Sequence, residues 1–122
     1  MTPKYIYHAA TGRNFRLDEG RELCIGRGFD NHIIVDDLSV SRHHACVGLL
    51  NGKVYVKDMH STNGTVINGE RIWDDFRYEL EQADEFQVGS VTFKILDESG
   101  VISRNFQNRK MPLDTVIMYA GC

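Results

Sequence analysis

The sequence predicts an all-β fold, a sandwich or a barrel, on three observations. Short strand-like runs recur at a spacing of about 8 to 12 residues, with turn residues between them. Asn-Gly, the strongest short-range hairpin signal because both residues tolerate positive φ, punctuates the runs at Asn51-Gly52 and Asn68-Gly69. Helical periodicity is nearly absent before residue 97.

In chain order, Met1-Thr2-Pro3-Lys4 runs directly into an alternating segment, Lys4-Ala9, which is followed by Asn14-Leu17 and Glu22-Gly26. Ile33-Val35 and His44-Leu50 come next, and Asn51-Gly52 turns the latter into Val54-Asp58. Thr65-Ile67 and Glu70-Ile72 flank the Asn68-Gly69 hairpin, with Phe76-Leu80 after them. Phe86-Val88 and Val91-Leu96 are joined by Gly89-Ser90 and close a set of about eleven short strands. Period-two alternation is clearest in Val54-Lys57 and Val91-Ile95. Asn63-Gly64 is different, because the polar lead-in Met59-His60-Ser61-Thr62 is too long for a two-residue hairpin. From Asp97 the character changes. Glu98-Ser99-Gly100 and the polar Ser103-Lys110 read as a linker, so residues 1–97 are expected to form the domain and 98–122 an extension. The apolar Pro112-Ala120 leaves a helix, an added strand and the start of a further region equally open.

A chain of 122 residues suits one domain with its own core. A hydrophobic share of 42% and a charged share of 25% are ordinary for a soluble fold, and no apolar run suggests a membrane helix or signal peptide. A cytoplasmic protein is expected. The net charge of -3, without a basic run, argues against nucleic acid, where several phosphates must be neutralised together. Three cysteines without CxxC spacing oppose a disulfide framework and a zinc site, and Cys24 and Cys46 read as small buried hydrophobes.

Three polar segments fall between the strands: Gly26-Arg27, Ser41-Arg42-His43-His44 and Ser61-Thr62-Asn63-Gly64-Thr65. They supply guanidinium, hydroxyl and amide donors on loops, and loops at one end of a sheet can share a ligand. An oxyanion is what such donors hold. Arginine is the natural centre of that site, since its planar fork gives two parallel bonds to adjacent oxygens. Arg27 is the first candidate. Gly64 is expected to permit a turn, Ser61 and Thr65 to hydrogen-bond their own backbone, and His43 to face outward.

Gly-Arg, Ser-x-x-His and Asn-Gly, in this order over residues 4 to 96, resemble the forkhead-associated (FHA) domain. That family is a two-sheet β-sandwich that binds phosphothreonine peptides. The resemblance implies phosphate donation by Arg27 and by the Ser41 hydroxyl, with Arg42 as a second donor through backbone or side chain. Thr62 matches a phosphate-contacting position, and Asn63 one that holds the peptide backbone through its amide. Gly26, His44, Gly64, Asn68 and Gly69 are implied as framework, with Asn68 also within possible reach of a peptide. Threonine would be preferred over serine through a small pocket for its γ-methyl. Residues after the phosphothreonine would meet 28–32, 36–39 and Met59-His60. One departure is Ala83-Asp84, where the family pattern reads Gly-Asp. The implied partner is a phosphothreonine protein or peptide written by a Ser/Thr kinase, with no cofactor, metal, nucleic acid or membrane. Thr115 is read first as a threonine in a packed terminal strand; the less favoured reading makes it a phosphosite bound in cis or by a neighbouring molecule, with self-association through the C-terminal tail.

Rival readings are weaker. Ser41, His44 and Asp36 or Asp58 can be drawn as a hydrolase triad, but the Gly-x-Ser-x-Gly elbow is missing. His43, His44 and His60 can be drawn as a metal site, but adjacent histidines on an extended segment point apart. No enzyme is expected. An FHA fold serving only as a scaffold is the serious alternative, and such a module would be expected to lose the loop donors that this chain keeps.

Overall fold

A computed structural model describes residues 3–73 and 76–98. The strands are β1 (Lys4–His8), β2 (Arg13–Leu17), β3 (Glu22–Gly26), β4 (Ile33–Ile34), β5 (Ala45–Leu50), β6 (Lys53–Asp58), β7 (Thr65–Ile67), β8 (Glu70–Arg71), β9 (Tyr78–Leu80), β10 (Glu85–Val88) and β11 (Val91–Leu96). They form two sheets, ordered β2-β1-β11-β10-β7-β8 and β4-β3-β5-β6-β9. The architecture is therefore a sandwich rather than a barrel. All pairings are antiparallel except β3 with β4, which is parallel.

Alternation along the strands fills the space between the sheets. Ile6, Leu17, Phe86, Phe93 and Ile95 from the first sheet meet Ile25, Val47, Leu49, Val54 and Val56 from the second, all buried. Phe86 and Phe93, opposite one another on β10 and β11, stack with ring centroids 5.4 Å apart. Each fully buried aliphatic or aromatic side chain contributes about 1.5–3 kcal/mol, enough in sum to hold the sheets together.

The Asn-Gly hairpins form as expected: Asn51 and Gly52 take φ of +55° and +76°, and Asn68 and Gly69 take +47° and +88°. Strand ends shift by a residue or two. Ala9, Val35, His44 and Ile72 lie just outside their strands, and the Phe76-Leu80 run shortens to Tyr78–Leu80. The shortening has a cause in partners. Only Tyr78, Glu79 and Leu80 find ladder partners on β6, while Phe76 is exposed and packs edge-on to Tyr78.

Cys46 is buried but Cys24 is only half-buried, a correction to its reading as an interior hydrophobe. Both belong to the outer face of the second sheet, because their strand neighbours Ile25, Ala45 and Val47 take the inner one. On that face Tyr55 lies over Gly48, where an added Cβ would sit 2.2 Å from the ring. Its hydroxyl donates to Glu22, which also pairs with Lys57 at 3.3 Å. The expectations for residues 99–122, including Thr115 and the tail, lie outside the described residues.

Candidate functional site

The β3–β4, β4–β5 and β6–β7 loops meet at one end of the sandwich, and Ser41 joins them. Its carbonyl accepts the Arg27 amide at 2.9 Å, its hydroxyl oxygen accepts the Thr62 amide at 3.0 Å, and its own amide donates to His44 Nδ1 at 3.0 Å. One serine thus touches all three polar segments of the sequence. Because the Ser41 oxygen accepts from Thr62, its O–H proton is left to donate outward.

Backbone contact fixes the first pair of loops. Gly28 N–H donates to the Arg42 carbonyl at 3.1 Å, and an added Cβ at Gly26 would lie 2.2 Å from that oxygen. Gly26 is thus required by close approach. Arg27 and Arg42 are both exposed, and neither forms an ion pair with a carboxylate among the described residues. Their guanidinium groups remain available.

His44 is fully buried. A backbone N–H can only donate, so the Nδ1 that meets Ser41 is unprotonated, and Nε2–H donates to the Gly64 carbonyl at 2.8 Å. Burial holds its pKa below the ordinary histidine value, against the smaller opposing effects of the Gly64 carbonyl and Asp58. With both ring nitrogens committed, His44 cannot take a proton from Ser41, so the triad geometry is absent. His43 does face outward, 2.7 Å from Asp30 and well away from the role of a metal ligand beside His44.

The β6–β7 loop is organised by Asp58, a residue that enters the sequence argument as a strand end and a possible triad member. Buried, it accepts from the Ser61 amide at 3.0 Å, from the Ser61 hydroxyl and from the Thr65 hydroxyl at 2.7 Å. Thr65 therefore bonds a carboxylate and not its own backbone. Ser61 does both, since its oxygen also accepts the Gly64 amide at 3.0 Å. Gly64 holds φ of +87°, with Arg71 Nε 2.7 Å from where a Cβ would be. Asn63 is exposed, and its amide group donates to the Ser39 carbonyl at 2.9 Å.

Other parts of the loop end are not legible along the chain. Asn31 donates from one amide nitrogen to both Gly28 and Arg42 carbonyls, at 2.8 and 2.7 Å, pinning the loop after Arg27. Ser39 bonds Asp37 and Ser90, tying the β4–β5 loop to the β10–β11 turn. Asn68 and Gly69 sit at the other end of the short β7–β8 hairpin, where Asn68 bonds Asp84 and the Glu85 backbone. They shape a turn and do not join the Ser41 cluster.

The sandwich gathers arginine, hydroxyl and amide donors on loops at one end, with its buried histidine committed to bracing them. The chain belongs to the FHA domain family, whose profile matches residues 23–89. Among relatives, it is 37% identical over 68 residues to the transcriptional regulatory protein EmbR of Mycobacterium tuberculosis, covering 56% of this chain and 17% of EmbR. It is 36% identical over 94 residues to the glycogen accumulation regulator GarA of Mycolicibacterium smegmatis, covering 73% of this chain and 57% of GarA. The chain thus spans less than two thirds of either relative. The FHA domain of CT664 from Chlamydia trachomatis superposes with a TM-score of 0.72 at 25% identity, over 79% of this chain and 98% of that one. Mycobacterium tuberculosis EmbR in complex with a low affinity phosphopeptide gives 0.71 at 29% identity, over 79% of this chain and 24% of EmbR. Among the described residues no helix is long and apolar enough to cross a membrane.

Proposed function

We propose that this domain binds a phosphothreonine-containing peptide, written by a Ser/Thr kinase, across the loop end of the sandwich. The observation that carries the reading is the junction at Ser41, which draws the Arg27 and Thr62 segments together beside two guanidinium groups without a carboxylate partner among the described residues. Arg27, Ser41, Arg42 and Thr62 then donate to the phosphate, which carries about -1.5 to -2 charges and three acceptor oxygens. Asn63 keeps its amide oxygen and one N–H for the peptide backbone. The similarity to EmbR, solved with a phosphopeptide, supports the same reading.

The flanking loops bear on the peptide residues downstream of the phosphothreonine. Asp30 is occupied by His43, and Asp37 by Ser39. Phe29 and Leu38 are almost fully exposed, at 94% and 90%. Exposed apolar side chains and the anionic Asp30, Asp36 and Asp37 thus share these loops, so both apolar and basic downstream residues find contacts there.

Calorimetric titration with a phosphothreonine peptide, its unphosphorylated form and a phosphoserine form tests the proposal. Wild type should prefer the phosphothreonine form, and Arg27→Ala should weaken binding at least about tenfold, the worth of one charge-assisted bond. Asn63→Ala should weaken it as well. Equal binding of phosphorylated and unphosphorylated peptides by wild type would favour a scaffold without phosphate recognition.

A further inference from the structure

Away from the loop end, two thiols face each other across a pair of strands. Cys24 on β3 is the direct antiparallel partner of Cys46 on β5, and their sulfurs lie 2.7 Å apart. The Cys24 amide donates away from β5, to His32 Nδ1 at 2.9 Å. This makes Cys24 and Cys46 a non-hydrogen-bonded pair, the type whose Cα atoms approach to about 4.5 Å. Disulfides bridge Cα separations of about 4.4 to 6.8 Å, so no strand has to move for these two to join. Cys24 is half-buried on the outer face, and Cys46 beside it is buried.

We propose that Cys24 and Cys46 are a redox modification site, forming a reversible cross-strand disulfide by exchange with a low-molecular-weight disulfide. The more exposed Cys24, as thiolate, attacks one sulfur of the small disulfide. That S–S bond breaks, and half of the reagent leaves as a thiol after taking up a proton. Cys46 then loses its proton, attacks the Cys24 sulfur of the mixed disulfide and expels the second half as thiol. Two protein thiols and one small disulfide become one protein disulfide and two small thiols. Burial, with Cys24 and Glu22 beside it, raises the pKa of the Cys46 thiol, so Cys24 is the one to meet the oxidant.

The position of the bond gives it a consequence. β3 runs from Cys24 into Gly26-Arg27, and β5 comes directly after Ser41-His44. The link would fasten together the two strands from which the Arg27 and Ser41 loops leave.

Glu22, Cys24 and Cys46 also place three ligand atoms within 4.8 Å of one another, so a metal is the competing occupant. Two observations favour the disulfide. The Glu22 carboxylate is already shared by Tyr55 and Lys57, and among the described residues no fourth ligand joins the three.

Glutathione disulfide titration of the whole chain, followed by tryptic digestion without reductant, reads the outcome directly. The expected product links the peptide 22–27 to the peptide 43–53, disappears with dithiothreitol, persists in Cys122→Ser and is absent from Cys24→Ser. Its fraction should rise with the ratio of oxidised to reduced glutathione. Persistent glutathione adducts on Cys24 without the link, or links only through Cys122, would overturn the proposal. So would a one-to-one zinc complex that shields both thiols from the reagent.

Discussion

Ala83 holds φ of +71°, a conformation in which its Cβ crowds the following carbonyl. The sequence shows alanine where the family pattern has glycine, and the turn holds that alanine at positive φ. Two bonds hold it there: Ala83 N–H donates to the Ile95 carbonyl at 2.8 Å, and Asp84 N–H closes the turn on the Glu81 carbonyl at 3.0 Å. Ala83 is exposed, so glycine there removes a strain of about 1–2 kcal/mol with little loss of packing. The greater freedom of glycine in the unfolded chain offsets about 0.4–1 kcal/mol of that gain. Ala83→Gly should stabilise the domain by about 0.5 kcal/mol, read as a rise in melting temperature of about 2–4 °C. A fall would mean that the turn is not strained. Gly64, with φ of +87°, needs glycine for the same conformational reason, and a Cβ there would also force the Arg71 side chain aside.

The β6–β7 loop shows what a carboxylate does for an element with almost no secondary structure. Asp58 is the last residue of β6 and accepts three bonds from the residues just beyond it, two of them from hydroxyls. Removing it strands those hydroxyls in a buried site, where each unsatisfied donor costs about 1–3 kcal/mol. Asp58→Ala should lower stability by about 3 kcal/mol in denaturant unfolding and speed amide exchange at Gly64. Unchanged exchange there would show that the carboxylate does not hold the loop. Most of this architecture is readable along the chain. Strand alternation and Asn-Gly pairs act over two to four residues, so the eleven strands of the described residues and both hairpins are legible. So are the donor segments, because each is short and local. Asp58, Asn31 and the Ser39–Ser90 contact are not, since their meaning depends on atoms brought close by the fold. The strand alternation at Cys24 is visible in the sequence, but which face lies outward depends on the second sheet.

Across the whole molecule, stability and pH are linked through groups whose protonation differs between folded and unfolded states. His44 is lowered by burial, and His8 by burial and by Arg13. Between the folded and unfolded values, the unfolded chain therefore binds more protons. The stability these histidines support is complete above about pH 6.5 and is lost progressively as pH falls below it. The carboxylates act in a lower window. Asp30 is lowered by its bond from His43, and Asp37 by its bonds from Ser39, so both lose their contribution only at more acidic pH. Glu22 behaves alike: burial is the largest single effect and raises it, but the bonds from Tyr55 and Lys57 together with the charges of Lys57 and Arg77 outweigh it and leave the pKa lowered. Melting temperature should accordingly be flat near neutrality, decline first below about pH 6.5 and fall again in the carboxylate range. His44→Gln will lower the curve as a whole, since the amide does not fill the space of the ring and cannot reproduce both the bond from the Ser41 amide and the bond to the Gly64 carbonyl in the same geometry. The informative readout is shape: the upper decline should shrink in His44→Gln and shrink further when His8→Gln is added. These measurements use the free domain, so phosphate ionisation does not enter them. An upper decline that survives both substitutions would place the titrating group elsewhere and separate His44's bracing role from any part in pH response.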